Sequence, residues 1–160
     1  MAGNFKGIKR QKFGVEIECT GLTRETAAKS IGKVLGSHFE YFGGSYDKYN
    51  IRGNKDRKWS VVYDSSIKCV DKNGNHASRD YAVEIVTPVL EYEDIPLMQE
   101  VVRAVRKAGG VTGGDYNCGI HIHIDGEPYN AQSLRNLVNI FASKKNFLFD
   151  MLQVSHQRET

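Results

Sequence analysis

Cys118-Gly119-Ile120-His121-Ile122-His123-Ile124-Asp125 has a period of two. Side chains of a strand point alternately to opposite faces, so the spacing predicts a strand with Cys118, Ile120, Ile122 and Ile124 on a buried face. The other face carries His121, His123 and Asp125. Residues two apart on a strand lie about 6.5–7 Å apart, close enough for two side chains to converge on one cation or on neighbouring groups of one ligand. Two solvated histidines on an exposed face fit the same pattern.

The same alternation occurs twice more. In residues 12–20, Phe13, Val15, Ile17 and Cys19 oppose Gly14, Glu16, Glu18 and Thr20. Two carboxylates side by side repel, and a divalent cation turns that repulsion into attraction. An acidic sheet edge that resists aggregation is the plainer explanation. In residues 80–88, Tyr81, Val83 and Ile85 oppose Ala82, Glu84 and Val86, and Pro88 ends the strand. Glu84 is thus a lone carboxylate on an otherwise apolar face. Such a group is costly without a cation or a donor, which makes Glu84 the most informative acid of the chain. A fourth strand is expected over Lys58–Asp64, ending in Asp64-Ser65-Ser66. There the polar groups either meet a ligand or cap a turn by bonding their own backbone.

Between these strands the period changes to that of helices. Ala27, Ala28, Ile31, Val34 and Leu35 mark one, with Thr23 as N-cap and Gly36 just past its end. Leu97, Met98, Val101, Val102, Val105 and Ala108 mark a second over 93–108, with Pro96 in its first turn. A third is expected to run unbroken from Asn130 to about Val154, burying Leu134, Leu137, Val138, Phe141, Leu148, Met151 and Leu152. Ile67–Val70 reads as a short strand before an Asn73-Gly74 turn. Residues 38–64 form a hairpin-like excursion rich in aromatic side chains.

Composition bounds the function. The chain has 160 residues, 40% of them apolar, which suits one domain with a core of its own, spanning 1–160, whose residues 1–11 are expected to be a flexible basic N-terminus. A net charge of +3 does not require a nucleic-acid partner. The basic cluster Arg52–Lys58 reads first as a solvated turn and only second as a phosphate-binding loop. No apolar run is long enough for a membrane span, and Met1–Lys12 lacks the apolar core of a signal peptide. Cys19, Cys69 and Cys118 form no disulfide framework, so a reducing, cytoplasmic setting is expected. Cys118 falls on the face opposite His121 and His123, which excludes a Cys–His dyad, and with Cys19 it is expected in the core.

If the three strands are sheet neighbours, three carboxylates and one or two imidazoles line one surface. An oxygen-rich set with a single nitrogen suits Mg²⁺ or Mn²⁺ better than zinc. Two such cations about 3.5–4 Å apart can bridge a transferring phosphoryl group.

Phe13-Gly-Val-Glu-Ile-Glu18, Trp59 with Asp64-Ser65-Ser66, Glu84-Ile-Val-Thr-Pro88 and Cys118-Gly-Ile-His-Ile-His-Ile124 resemble, in order over residues 12–155, the four signatures of the amidoligase family. That family groups with glutamine synthetase and glutamate–cysteine ligase, the carboxylate–amine ligases. The resemblance implies an α+β fold: a curved, largely antiparallel sheet with helices on its outer face. It implies an ATP- and divalent-metal-dependent ligase that forms an amide or isopeptide bond through an acyl phosphate, with Mg²⁺ or Mn²⁺ as cofactor and ATP as co-substrate. Its substrates would be a carboxylate- and an amine-bearing small molecule or peptide. Glu16, Glu18, Glu84 and His121 would hold metal, and Glu84 and Asp64 would be catalytic. His123 would lie near the nucleotide phosphates, and Asp64 and Ser66 would line the substrate side. Such ligases continue into strands that supply phosphate-binding arginines, of which Arg158 would be the first. The chain ends where that C-terminal half would start, so the implied cup is half present. A longer chain, a partner chain or a homo-oligomer would complete it. Two other functions fit the residues: a zinc hydrolase built on His121, His123 and Glu84, and a non-catalytic metal- or peptide-binding module.

Overall fold

The computed structural model describes residues 5–154. The chain divides into two compact units, Met1–Ile124 and Asp125–Thr160.

The first unit is built on six antiparallel strands: β1 (Phe13–Cys19), β2 (Phe39–Gly43), β3 (Lys48–Arg52), β4 (Lys58–Val62), β5 (Val83–Val86) and β6 (Ile120–Ile124). They form one open sheet in the order β2-β3-β4-β5-β1-β6. Two helices, α1 (Arg24–Leu35) and α2 (Ile95–Lys107), lie on one face of it. The second unit holds α3 (Ala131–Ser143) and α4 (Lys145–Leu152). The described residues are therefore α+β, with an open antiparallel sheet of six strands and four α-helices.

Local chemistry sets the helix ends. The Thr23 side chain accepts from the Thr26 N–H, and Gly36, at φ 63°, closes α1 with its N–H on the Gly32 carbonyl. Pro96 stands in the first turn of α2, where its missing N–H costs nothing. The sheet registers Ile51 with Trp59, Val61 with Ile85, and Ile17 with both Ile85 and Ile120. These residues therefore share one face. Ile51, Trp59, Val61, Val83, Ile85 and Cys19 pack there against Ala27, Ala28 and Ile31 of α1 and Val101 and Val105 of α2. Met98 fills in at the margin, and Cys118 is buried in a second small cluster with Ile67 and Ala82.

Four expectations are corrected. First, Ile120, Ile122 and Ile124 are 58%, 66% and 52% exposed, so β6 has no buried face along its length. Each helix is about 10 Å wide and strands are spaced about 4.8 Å, so two helices cover roughly four strands. The helix α1 packs chiefly on β3 and β4, and β6 is the far edge. Second, the long C-terminal helix breaks at Lys144, whose φ of −114° leaves the helical region, while the Ser143 hydroxyl donates back to the Ile140 carbonyl. Leu134, Leu137, Val138, Phe141, Met151 and Leu152 are exposed. Periodicity specifies the apolar side of a helix but not what covers it. That helix ends on Gln153 in the left-handed region, at φ 54°, doing the work of the missing glycine. Third, Ile67–Val70 makes no strand, only a single bridge from Val70 to His76 around the Asn73-Gly74 turn. Fourth, β4 and β5 are shorter than expected. Residues Arg79–Tyr81 form a 3-10 turn capped by Ser78, and Asp64 lies beyond the end of β4.

Among the described residues, no helix is long and apolar enough to cross a membrane.

Candidate metal centre

The face of the sheet opposite α1 and α2 carries the polar side chains. Strand order makes β5, β1 and β6 consecutive neighbours. Glu16 is registered opposite His121 on one side and Val86 on the other, Glu18 opposite Glu84, and Gly14 opposite His123. Two-residue alternation then directs Glu16, Glu18, Glu84, His121 and His123 to the same side. Asp64 joins them from just past β4, because Val62 is registered opposite Glu84.

Two overlapping ligand sets result. Glu16, Glu84 and His121 each offer an atom such that all three lie within 4.8 Å of one another, and so do Glu18, Asp64 and Glu84. Glu84 belongs to both. The sequence placed Asp64 on the substrate side; the structure also gives it a position among the carboxylates.

Hydrogen bonds hold several of these groups in place. His121 Nδ1 is 3.1 Å from one Glu16 oxygen, and His123 Nε2 is 3.3 Å from the other. His121 Nε2 stands 4.0 Å from Glu18. Glu18, buried, accepts the Gly119 N–H at 2.6 Å. Asp64 accepts the Ser66 N–H at 2.7 Å, so the Asp64-Ser65-Ser66 turn is capped as a turn of this composition should be. Ser66 itself is exposed, and its carbonyl accepts from the Asn117 side chain at 2.7 Å.

Electrostatics separates the acids. Glu16 is held below the usual carboxylate range, first by its hydrogen bond to His121. Glu84 is pushed up to about 6, first by burial and then by the charges of Glu16, Asp64 and Glu18, with His121 pulling the other way. The cause expected of a lone acid among apolar neighbours, desolvation, is the leading one.

The structure thus brings together Glu16, Glu18, Glu84, His121 and Asp64, with His123 against Glu16. It does not bring His123 into a common ligand set with His121 and Glu84 among the described residues. Arg158 lies outside the described residues. Sequence reasoning missed Asn117, which adopts the left-handed backbone at φ 56° and ties the Ser66 turn to the approach of β6. Its signal is weak: an asparagine tolerates that conformation, but so does any turn asparagine. It also missed Gly119, whose contribution is a backbone N–H and leaves no trace in side-chain pattern. Cys19, with its thiol pushed up to about 12 by burial, is inert core.

Residues 9–160 match the family model described as "Putative amidoligase enzyme". The chain belongs to this family of amide-bond-forming ligases. No curated protein and no solved structure matches the chain.

Proposed function

We propose that this protein is an ATP-dependent carboxylate–amine ligase whose charged face holds Mg²⁺ or Mn²⁺. The observation that carries the reading is the meeting of Glu16, Glu84 and His121, from three adjacent strands, with ligand atoms within 4.8 Å. The donor set fits such cations: carboxylate oxygens dominate and one imidazole contributes. Glu84 carries the mark of a site short of positive charge, since burial and three neighbouring carboxylates push it up to about 6.

In this reading Glu16, Glu84 and His121 hold one cation, and Glu18, Asp64 and Glu84 line a second position. A bound divalent cation supplies charge neutralisation between a polyphosphate and a carboxylate. The 3.1 Å contact with Glu16 already turns the ring of His121 towards the carboxylates. His123, next along the edge strand, faces the phosphates of ATP. The Asp64-Ser65-Ser66 turn borders the acyl substrate. The γ-phosphoryl group of ATP passes to the substrate carboxylate, giving an acyl phosphate and ADP. The amine then attacks the acyl carbon and phosphate leaves, giving the amide. This chemistry is driven by positioning and charge stabilisation more than by covalent catalysis from the protein. The zinc-hydrolase reading needs His121, His123 and Glu84 on one ion, and among the described residues His123 shares no ligand set with the other two.

The test is Mn²⁺ binding to the purified protein, followed by phosphate release from ATP across mixtures of carboxylates and amines. Binding of Mn²⁺ and phosphate release that needs ATP, acid and amine together support the reading. Turnover with zinc and no nucleotide would replace it with the hydrolase.

A further inference from the structure

Arg24 is the most buried charged side chain of the described residues, 2% exposed, in the first turn of α1. A cation at a helix N-terminus meets the wrong end of the helix dipole, and a buried one loses its hydration as well. Its Nε is buried with no hydrogen-bond partner. The position is therefore unfavourable by local rules, and its partners show what it holds.

One terminal nitrogen donates to the carbonyls of Arg79 at 2.6 Å and Ala82 at 2.8 Å. Those two carbonyls bracket the 3-10 turn that enters β5, two residues ahead of Glu84. The other nitrogen pairs with Asp47, on the turn between β2 and β3, and reaches Asp80 at 3.4 Å. The guanidinium also lies over the ring of Tyr63, 5.4 Å from its centroid, with Arg79 over the same ring at 4.4 Å. Tyr63 immediately precedes Asp64, and its N–H donates to the Tyr46 carbonyl. Arg24 thus grips the two chain segments from which Asp64 and Glu84 emerge, together with the turn that braces them.

We propose that Arg24 is a positioning residue for the candidate metal centre: from the helical side of the sheet it sets the separation of Asp64 and Glu84 on the other side. The proposal rests on the reading that these carboxylates hold a cation. A planar five-donor fork is needed for the task, since one group must satisfy two carbonyls and a carboxylate at once. Lysine, a single charged point, can replace only part of it.

The experiment is titration of Mn²⁺ alone into wild-type protein, Arg24→Met, Arg24→Lys, Tyr63→Leu and, as a stability control, Arg57→Met. Circular dichroism and thermal unfolding show that each variant is folded at the titration temperature. Outer partners of metal ligands typically contribute about 10–100-fold in metal affinity. Arg24→Met should weaken Mn²⁺ binding by that factor, Arg24→Lys by less, and Tyr63→Leu by about the same as Arg24→Lys. Arg57→Met should lower the unfolding temperature and leave Mn²⁺ affinity unchanged. A general loss of stability moves the unfolding temperature of every variant, whereas a positioning role moves Mn²⁺ affinity only in those at Arg24 and Tyr63. Wild-type affinity in folded Arg24→Lys and Tyr63→Leu overturns the proposal even if Arg24→Met fails to fold. No Mn²⁺ binding by wild type overturns the reading of the site itself, and the role of Arg24 with it.

Discussion

Two charged clusters in the first unit behave in opposite ways. At the mouth of α2, Arg57 donates both terminal nitrogens to Asp94 at 2.6 Å. The pair is complete within the chain: Asp94 is pulled down to about 2, first by that hydrogen bond, and Arg57 is pushed up by the same contact. On the other face of the sheet, Glu84 meets Glu16, Glu18 and Asp64 and is pushed up to about 6. One cluster is finished by its own residues and stabilises the fold. The other is arranged with like charges facing one another, which costs stability unless something positive arrives. On the proposed reading, the contrast separates an ion pair that belongs to architecture from a constellation arranged for a cation.

The sharpest way to break the comparison is Glu84→Ala. It removes the ligand common to both sets, so measurable Mn²⁺ binding should vanish while unfolding stays cooperative; unchanged affinity would end the metal reading. Next in size is Arg57→Met. It strands a partly buried carboxylate, and breaking such a pair should cost about 3 kcal/mol in chemical denaturation, with Mn²⁺ affinity untouched. The same pair sets acid sensitivity. The folded value for Asp94 lies below its ordinary 3.8, so its stabilisation is full above that value and is lost as pH falls towards 2. About 2 kcal/mol should disappear between pH 4 and pH 2, and Arg57→Met should abolish most of that slope. Fourth, His121→Ala should weaken Mn²⁺ binding by about 10-fold, or about 1.4 kcal/mol. His76→Ala, in the bridge around the Asn73-Gly74 turn, should leave binding intact, and equal effects would undo the assignment. The smallest effect has the opposite sign. Glu84 has a folded value raised above the ordinary 4.5, so its ionisation opposes folding as pH rises through the window from 4.5 to about 6, and the cost is constant above it. In cation-free buffer above pH 6, Glu84→Gln should therefore stabilise the protein by about 1 kcal/mol, allowing for partial solvent screening. Destabilisation instead would show that Glu84 has a structural partner.

Much of the site was legible because strand parity is local. Val15, Ile17 and Cys19 on one face and Glu16 and Glu18 on the other follow from a period of two, and the lone placement of Glu84 is visible in Tyr81–Val86 alone. The helix caps at Thr23 and Gly36 are equally local, since side chain and backbone bond within a few residues. Burial was less legible. The isoleucines of β6 alternate as a buried strand does, yet they are exposed, because a sheet six strands wide exceeds what α1 and α2 span. Arg24 was invisible for a similar reason: nothing within its own helix calls for a buried guanidinium, and all its partners lie 23 or more residues away.

By itself the sequence determined which side chains share a face of each strand, where α1 starts and stops, and which acid is out of place. These depend on neighbours within a turn or two of backbone. Only the tertiary structure decided that β1 lies between β5 and β6, and so that Glu84 and His121 flank the same pair of glutamates. Strand order is settled by backbone pairing between distant segments and by the core they close together, and neither leaves a periodic mark on the segments themselves.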